Sequence, residues 1–109
     1  MPDCRIEVVC IGSELLLDRV NTDVNLLSGI LGRAGFCIGS CRTVCDDKKE
    51  IIHAVHSALK AGDVVFITGG LGPTSDDITR ESLSELLKRK LVFSEEIWEG
   101  ICRRFHDRE

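Results

Sequence analysis

The sequence predicts an α/β domain, a three-layer α/β/α sandwich built on a mainly parallel sheet. Three short apolar runs rich in β-branched residues begin near positions 6, 36 and 64. A stretch with helical spacing lies between each pair. A repeat of roughly 30 residues is that of a βαβ unit, and right-handed crossovers make its strands parallel.

Ile6 to Ile11 reads as the first strand. Val24, Leu27, Ile30, Leu31 and Ala34 then recur at helical spacing, with Asn21-Thr22 as a cap and Gly35 as a stop. Phe36 to Val44 reads as the second strand. Asp47-x-x-Glu50 is a capping-box variant ahead of the stripe Ile51, Ile52, Val55 and Leu59, and Gly62 ends that helix. Val64 to Ile67 is continuously apolar, a pattern expected of a strand buried on both faces. A third helix carries Ile78, Leu83, Leu86 and Leu87. Leu91-Val92-Phe93 reads as short and extended, and Ser94 caps a fourth helix with Ile97, Trp98, Ile101, Cys102 and Phe105 on one side. That helix runs to Glu109 without a stop signal, and three strands make a thin sheet. Residues 1–109 are therefore expected to be a single domain truncated at its C-terminal end.

The 109 residues carry 14 Lys and Arg against 18 Asp and Glu, a net charge of −4, which argues against a basic nucleic-acid module. Charged residues make up 29% and hydrophobic ones 43%, a balance that argues against disorder. At this length roughly two-thirds of the unfolded surface can be buried, enough for a core without staples. No apolar run approaches the ~20 residues of a membrane span. No signal-peptide pattern precedes the first strand, and a cytoplasmic location is expected. The cysteines are Cys4, Cys10, Cys37, Cys41, Cys45 and Cys102, with no Cys-x-x-Cys pair among them. Cys37, Cys41 and Cys45 would step about 13 Å along a strand, too far for one metal ion. Reduced, buried or half-buried thiols are expected. His53, His56 and His106 fall outside the strand-end loops and read as surface or packing residues.

In an open parallel sheet, ligands bind beyond the carboxyl ends of the strands. Three polar clusters fall there: Gly12-Ser13-Glu14, Asp46-Asp47, and the run Thr68-Gly69-Gly70-Leu71-Gly72-Pro73-Thr74-Ser75-Asp76-Asp77-Ile78-Thr79. Each has a simpler reading. Glu14 suits a solvated loop, Asp47 a cap of the second helix, Asp77 or Thr79 a cap of the third, and the glycines a turn. Three glycines in four positions between a strand and a helix also suit a phosphate held on backbone N–H groups. Asp76 and Asp77 would repel that phosphate by roughly 3 kcal/mol at ~5 Å and an effective dielectric of 20. A divalent cation such as Mg²⁺ between carboxylate and phosphate removes the conflict. Pyrophosphate cleavage or nucleotidyl transfer fits this chemistry, with an Asp orienting the nucleophile. The spacing matches neither GxxxxGK[ST] nor GxGxxG.

The segments Ile11-Gly12-Ser13-Glu14-Leu15-Leu16, Asn21-Thr22, Val44-Cys45-Asp46-Asp47 and Thr68 to Glu81 (TGGLGPTSDDITRE) resemble the molybdopterin-binding (MoaB/Mog-like) domain family. Within it they are similar to the N-terminal domain of CinA competence/damage-inducible proteins. The resemblance implies catalytic roles for Asp46 and for Asp77 in Asp77-Ile78-Thr79. It implies ligand or phosphate contacts from Gly12, Glu14, Thr68, Gly69, Gly70, Gly72, Pro73, Thr74, Ser75 and Thr79. Asp76 and Asp77 are the expected ligands of a divalent metal, Mg²⁺ or a transition metal. Cys45 stands where the family more usually has glycine or proline. The CinA-like branch is associated with metal-dependent hydrolysis of ADP-ribose-type pyrophosphates, and the MoaB/Mog branch with molybdopterin adenylyl transfer. A non-catalytic module of the same fold is the third reading. The expected partners are a small nucleotide or pterin ligand and further copies of the chain, as a dimer or trimer, with no nucleic acid and no membrane.

Overall fold

A computed structural model describes residues 3–13 and 21–106. Glu14, Leu15 and Leu16 lie outside the described residues. The chain forms β1 (Ile6–Ile11), α1 (Thr22–Arg33), β2 (Ile38–Val44), α2 (Lys48–Ala61), β3 (Val64–Thr68), α3 (Thr79–Leu87) and α4 (Glu95–His106). The sheet order is β2-β1-β3, and β1 runs parallel to both neighbours. The chain thus moves from β1 to one side, then back across β1 to the other. The right-handed crossover rule assigns α1 and α2 to opposite faces of such a sheet; α2 packs on β1, β2 and β3.

The core lies on the α2 face. Val9 and Ile11 of β1 pack with Ile51, Ala54, Val55 and Ala58 of α2, and Leu83 and Leu86 of α3 close over the same cluster. Side chains alternate along a strand, so Ile6, Val8 and Cys10 point to the other face. They too are buried. Both faces of β1 are therefore covered.

The helix signals are used as the residue types suggest. The Asn21 side chain accepts from the amide of Val24 (3.2 Å), and Asp47 caps α2 by accepting from the amide of Glu50 (3.1 Å). Gly35, at φ +90°, turns the chain out of α1, with the amide of Phe36 reaching back to the carbonyl of Leu31 (2.9 Å). This wrap-around delays β2 to Ile38, two residues past the expected start. Ser94 caps α4 by accepting from the amide of Ile97 (3.3 Å).

Several expectations are corrected. β3 is exposed at Val64 and half-buried from Val65 to Thr68, because among the described residues it is an edge strand. The strand buried throughout is β1, the central one, although it contains Glu7. Leu91, Val92 and Phe93 form no strand and are exposed. No residue of α1 or α4 is fully buried. Ile78, not Asp77 or Thr79, occupies the N-cap of α3, and it makes no side-chain cap. Cys37, Cys41 and Cys102 are exposed; only Cys10 is fully buried. The histidines of α2 and α4 lie on the surface, as expected.

Glu7 is buried at the amino end of β1. Arg5 pairs with it at 2.9 Å and the Ser40 hydroxyl donates to it from β2. The Ser40 bond, opposed by burial and aided by Arg5, holds the Glu7 carboxyl below its ordinary value. A Cβ at Gly62 would come within 2.6 Å of the Glu7 side chain, so the helix end must be bare there.

Cys10 and Cys41 sit on neighbouring strands with their sulfurs 3.7 Å apart. Desolvation, then the hydrogen bond shared with Cys10, push the Cys41 thiol up to about 11. Peptide mapping after brief alkylation at pH 8 should find the exposed Cys37 and Cys102 labelled ahead of Cys41. Cys41 should react about tenfold more slowly or less, since the thiolate is the nucleophile. Equal rates would show that the two thiols do not share a proton.

Candidate functional site

In a parallel sheet of order β2-β1-β3, the place for a ligand is beyond the carboxyl ends of β1 and its neighbours. Gly12 and Ser13 after β1, the loop after β2 and the glycine-rich loop after β3 lie at these strand ends. The Gly12 amide donates to the carbonyl of Val44 (2.9 Å), which carries the β1–β2 ladder one step further. Beyond it, the amide and hydroxyl of Ser13 both approach Asp46 Oδ2 (3.2 and 3.4 Å). Asp46 is half-buried and faces the end of β1. Asp47, one residue on, is used by the helix cap.

The glycine-rich loop crosses directly over the end of β1. Gly69 and Gly70 have φ of +91° and +65°. A Cβ at Gly69 would lie 1.9 Å from the carbonyl oxygen of Ile11, and one at Gly70 would lie 2.2 Å from Thr79 Oγ1. Thr79 is fully buried; its hydroxyl donates to the carbonyl of Gly69 (2.7 Å) and its amide to that of Gly70 (3.3 Å). The start of α3 is thereby tied to the loop. These two glycines, expected to make room for a phosphate, make room for the protein itself.

The second half of the loop closes on Asp77. Its Oδ2 accepts from the amide (3.1 Å) and hydroxyl (2.7 Å) of Thr74, while its own amide donates to the carbonyl of Thr74 (3.0 Å). A Cβ at Gly72 would sit 2.7 Å from that same oxygen. The Thr74 hydroxyl first, then the amides of Thr74 and Gly72 and the charge of Arg80, outweigh desolvation and hold the Asp77 carboxyl below its ordinary value. Pro73, Thr74, Ser75 and Asp76 form the exposed rim, while Thr68 ends β3 half-buried beneath it.

Two clusters emerge: Ser13 with Asp46, and Gly72, Thr74 and Asp77. The first joins the ends of β1 and β2, and the second closes the glycine-rich loop after β3. No group of three His, Cys, Asp or Glu residues that could hold a metal occurs among the described residues. Ser13 received no role from the sequence. Its signal was a hydroxyl directly after Gly12 at the end of the central strand.

Residues 7–107 match a family model described as "Probable molybdopterin binding domain". The chain belongs to this molybdopterin-binding domain family. It is 39% identical over 101 residues to a CinA-like protein of Endomicrobium trichonymphae, covering 93% of this chain and 24% of that one. The chain spans about a quarter of the length of the curated relatives it matches. Among solved structures, CinA of Thermoplasma acidophilum superposes with a TM-score of 0.83 at 31% identity, over 94% of this chain and 61% of that chain. The tungsten cofactor synthesizing protein MoaB of Pyrococcus furiosus superposes at 0.66 and 31%, over 79% and 55%. The parallel α/β fold is thus that of the molybdopterin-binding domains. Among the described residues no helix is long and apolar enough to cross a membrane.

Gly69→Ala should destabilise this molybdopterin-binding domain by about 2 kcal/mol or more, because neither the Ile11 carbonyl nor the backbone φ accepts a Cβ. Gly100→Ala on α4, where a Cβ meets only an arginine tip at 4.0 Å, should stabilise by about 0.5 kcal/mol or more. Urea denaturation of the two variants measures both signs.

The lowered Asp77 carboxyl carries a pH signature. A depressed folded value contributes stability that is fully present above the unfolded value near 3.9 and lost as pH falls through the folded one. Carbon-13 titration of the Asp77 side chain should give a midpoint below 3.9, moving upward in Thr74→Ala. A midpoint unmoved by Thr74→Ala would break the link between latch and charge.

Proposed function

We propose that this domain binds a nucleotide-type diphosphate beyond the carboxyl ends of the strands and hydrolyses ADP-ribose-type pyrophosphates with a divalent cation. The observation that carries the reading is the pair of hydroxyl-held carboxylates, Ser13–Asp46 and Thr74–Asp77, in the loops that follow the strands.

The residues present suit a hard cation. Asp76 is exposed beside Asp77, and one or two carboxylates completed by substrate phosphate oxygens and water are the usual holding set for Mg²⁺. When bound, such an ion supplies Lewis-acid polarisation of a phosphoryl oxygen. The chain's own groups orient the substrate and the water. Thr74 keeps Asp77 ionised and fixed in direction, and Ser13 does the positioning for Asp46. The water oxygen forms the new bond to phosphorus and the bridging P–O bond breaks, yielding two monophosphates. The water's proton passes to a carboxylate, Asp46 in this reading.

The resemblance to a cofactor-synthesising MoaB structure at 31% identity supports a second reading, in which the same place binds molybdopterin or its adenylate. Both readings use Asp46 and Asp77, and they differ in the ligand. Phosphate release from ADP-ribose, coupled to a phosphatase, should appear only with added Mg²⁺ or Mn²⁺. It should fall at least about a hundredfold in Asp77→Asn with stability changed by less than about 1 kcal/mol. Wild-type turnover in Asp77→Asn sinks the assignment of that residue. Absence of turnover with ADP-ribose, together with tight binding of a pterin phosphate, selects the second reading.

A further inference from the structure

A pair of thiols lies outside the strand-end loops. Cys10 of β1 and Cys41 of β2 bring their sulfurs to 3.7 Å from each other. We propose that these two side chains form a binding site for one soft monovalent cation, Cu(I), held between two thiolate sulfurs. The pair sits on the sheet face turned away from α2, since Val9 and Ile11 take the α2 side. It uses none of the residues assigned to the diphosphate and does not depend on that assignment.

The strand register decides between the two things a close pair of thiols can do. Val8 pairs with Cys41, and Cys10 pairs with Thr43, so the cysteines are diagonal neighbours on parallel strands. With strands about 4.8 Å apart and two residues of rise, about 6.6 Å, their Cα atoms lie roughly 8 Å apart. A disulfide spans no more than about 7 Å between Cα atoms without backbone movement, and it needs the sulfurs at about 2.05 Å. That movement is resisted, because β1 is laddered to β2 on one side and to β3 on the other. A bridging ion asks for the opposite. Metal–thiolate bonds of about 2.3 Å, the length found for zinc, put two sulfurs about 3.7 Å apart at a tetrahedral angle and about 4.6 Å apart in a line. The observed separation already stands at the near end of that range. A small side-chain rotation covers the rest.

The kind of ion follows from what surrounds the pair. Among the described residues no third His, Cys, Asp or Glu joins it. Zinc in a closed site takes four protein ligands, and hard cations take oxygen. Thiolates select soft ions, and Cu(I) is satisfied by two of them. Cys10 is fully buried, and the buried Ile6 and Val8 share its face of β1, so the inner side of the site is apolar. A strongly hydrated cation would lose its water there, whereas an ion bound to sulfur gives up little. Binding releases two S–H protons to solvent and takes in one Cu⁺. Two Cu–S bonds form, no electron moves, and the neutral pair gains one negative charge. The bound ion clamps β1 to β2, the strands whose ends carry Ser13 and Asp46.

The test uses the reduced chain under anaerobic conditions, with Cu(I) shared between the protein and a coloured Cu(I) chelator. Replacing Cys4, Cys37, Cys45 and Cys102 by Ser leaves only the proposed pair. That variant should retain one Cu(I) per chain and stay monomeric. Adding Cys41→Ser should weaken retention at least about a hundredfold, because the second ligand's effective concentration is lost. The melting temperature should rise with Cu(I) in the first variant and stay put in the second, since the ion binds only the folded pair. Copper X-ray absorption should show sulfur neighbours and no nitrogen. Diamide added without metal should leave Cys10 and Cys41 unlinked on peptide mapping. If the multiple variant does not fold, Cys41→Ser against the otherwise unchanged chain reads the same difference, as one Cu(I) lost per chain. Equal retention with and without Cys41 overturns the proposal, as does one ion shared between two chains. A Cys10–Cys41 disulfide formed at once in diamide overturns the register argument. Zinc retained in preference to Cu(I) overturns the choice of ion.

Discussion

The contact between the backbone of Gly69 and the carbonyl of Ile11 governs the geometry of everything above the sheet. Any side chain at position 69 would overlap the end of β1. With glycine there, the chain leaves β3, folds over the central strand, and delivers Thr79 into the core, where its hydroxyl returns to the Gly69 carbonyl. The start of α3 is fixed by that one close crossing, and the closure on Asp77 lies between the two.

The acidic residues at the strand ends show how alike side chains acquire unlike duties. Asp47 spends its carboxylate on the first turn of α2, where an orphan amide needs an acceptor. Asp46 turns instead toward Ser13 across the gap to β1. Asp77 folds back on Thr74, three residues earlier, and keeps its charge through those donors. Asp76 receives no such role among the described residues and stays in solvent. Neighbours in sequence diverge because alternate backbone directions carry their side chains to different partners.

The strand starts, the helix order and the caps at Asn21, Asp47 and Ser94 were legible because each depends on residues within a few positions of one another. The run from Thr68 to Glu81 was legible for the same reason. Sheet order was not, since nothing in Val64 to Ile67 says whether one or two strands lie beside it. The expectation that β3 is doubly buried failed on that point, and the central place went to the strand containing Glu7. The tie between Ser13 and Asp46 joins residues 33 apart and depends on strand adjacency. The glycines were recognised as special, but their reason is intramolecular: the atoms they avoid belong to Ile11, Thr79 and Asp77.

Glu7 gives β1 something its apolar neighbours cannot. A row of interchangeable β-branched residues can slide along its partners with little penalty, but a buried carboxylate cannot. A slip of one residue would turn it to the opposite face, away from Arg5 and Ser40 and from the bare turn at Gly62. Glu7 therefore indexes the central strand against β2, much as a notch fixes a rule against its scale. Three to six residues further along, that alignment decides where Cys10 and Ile11 end and Ser13 begins, so a charge at the far end of the sheet sets the height of the floor on which a ligand would rest.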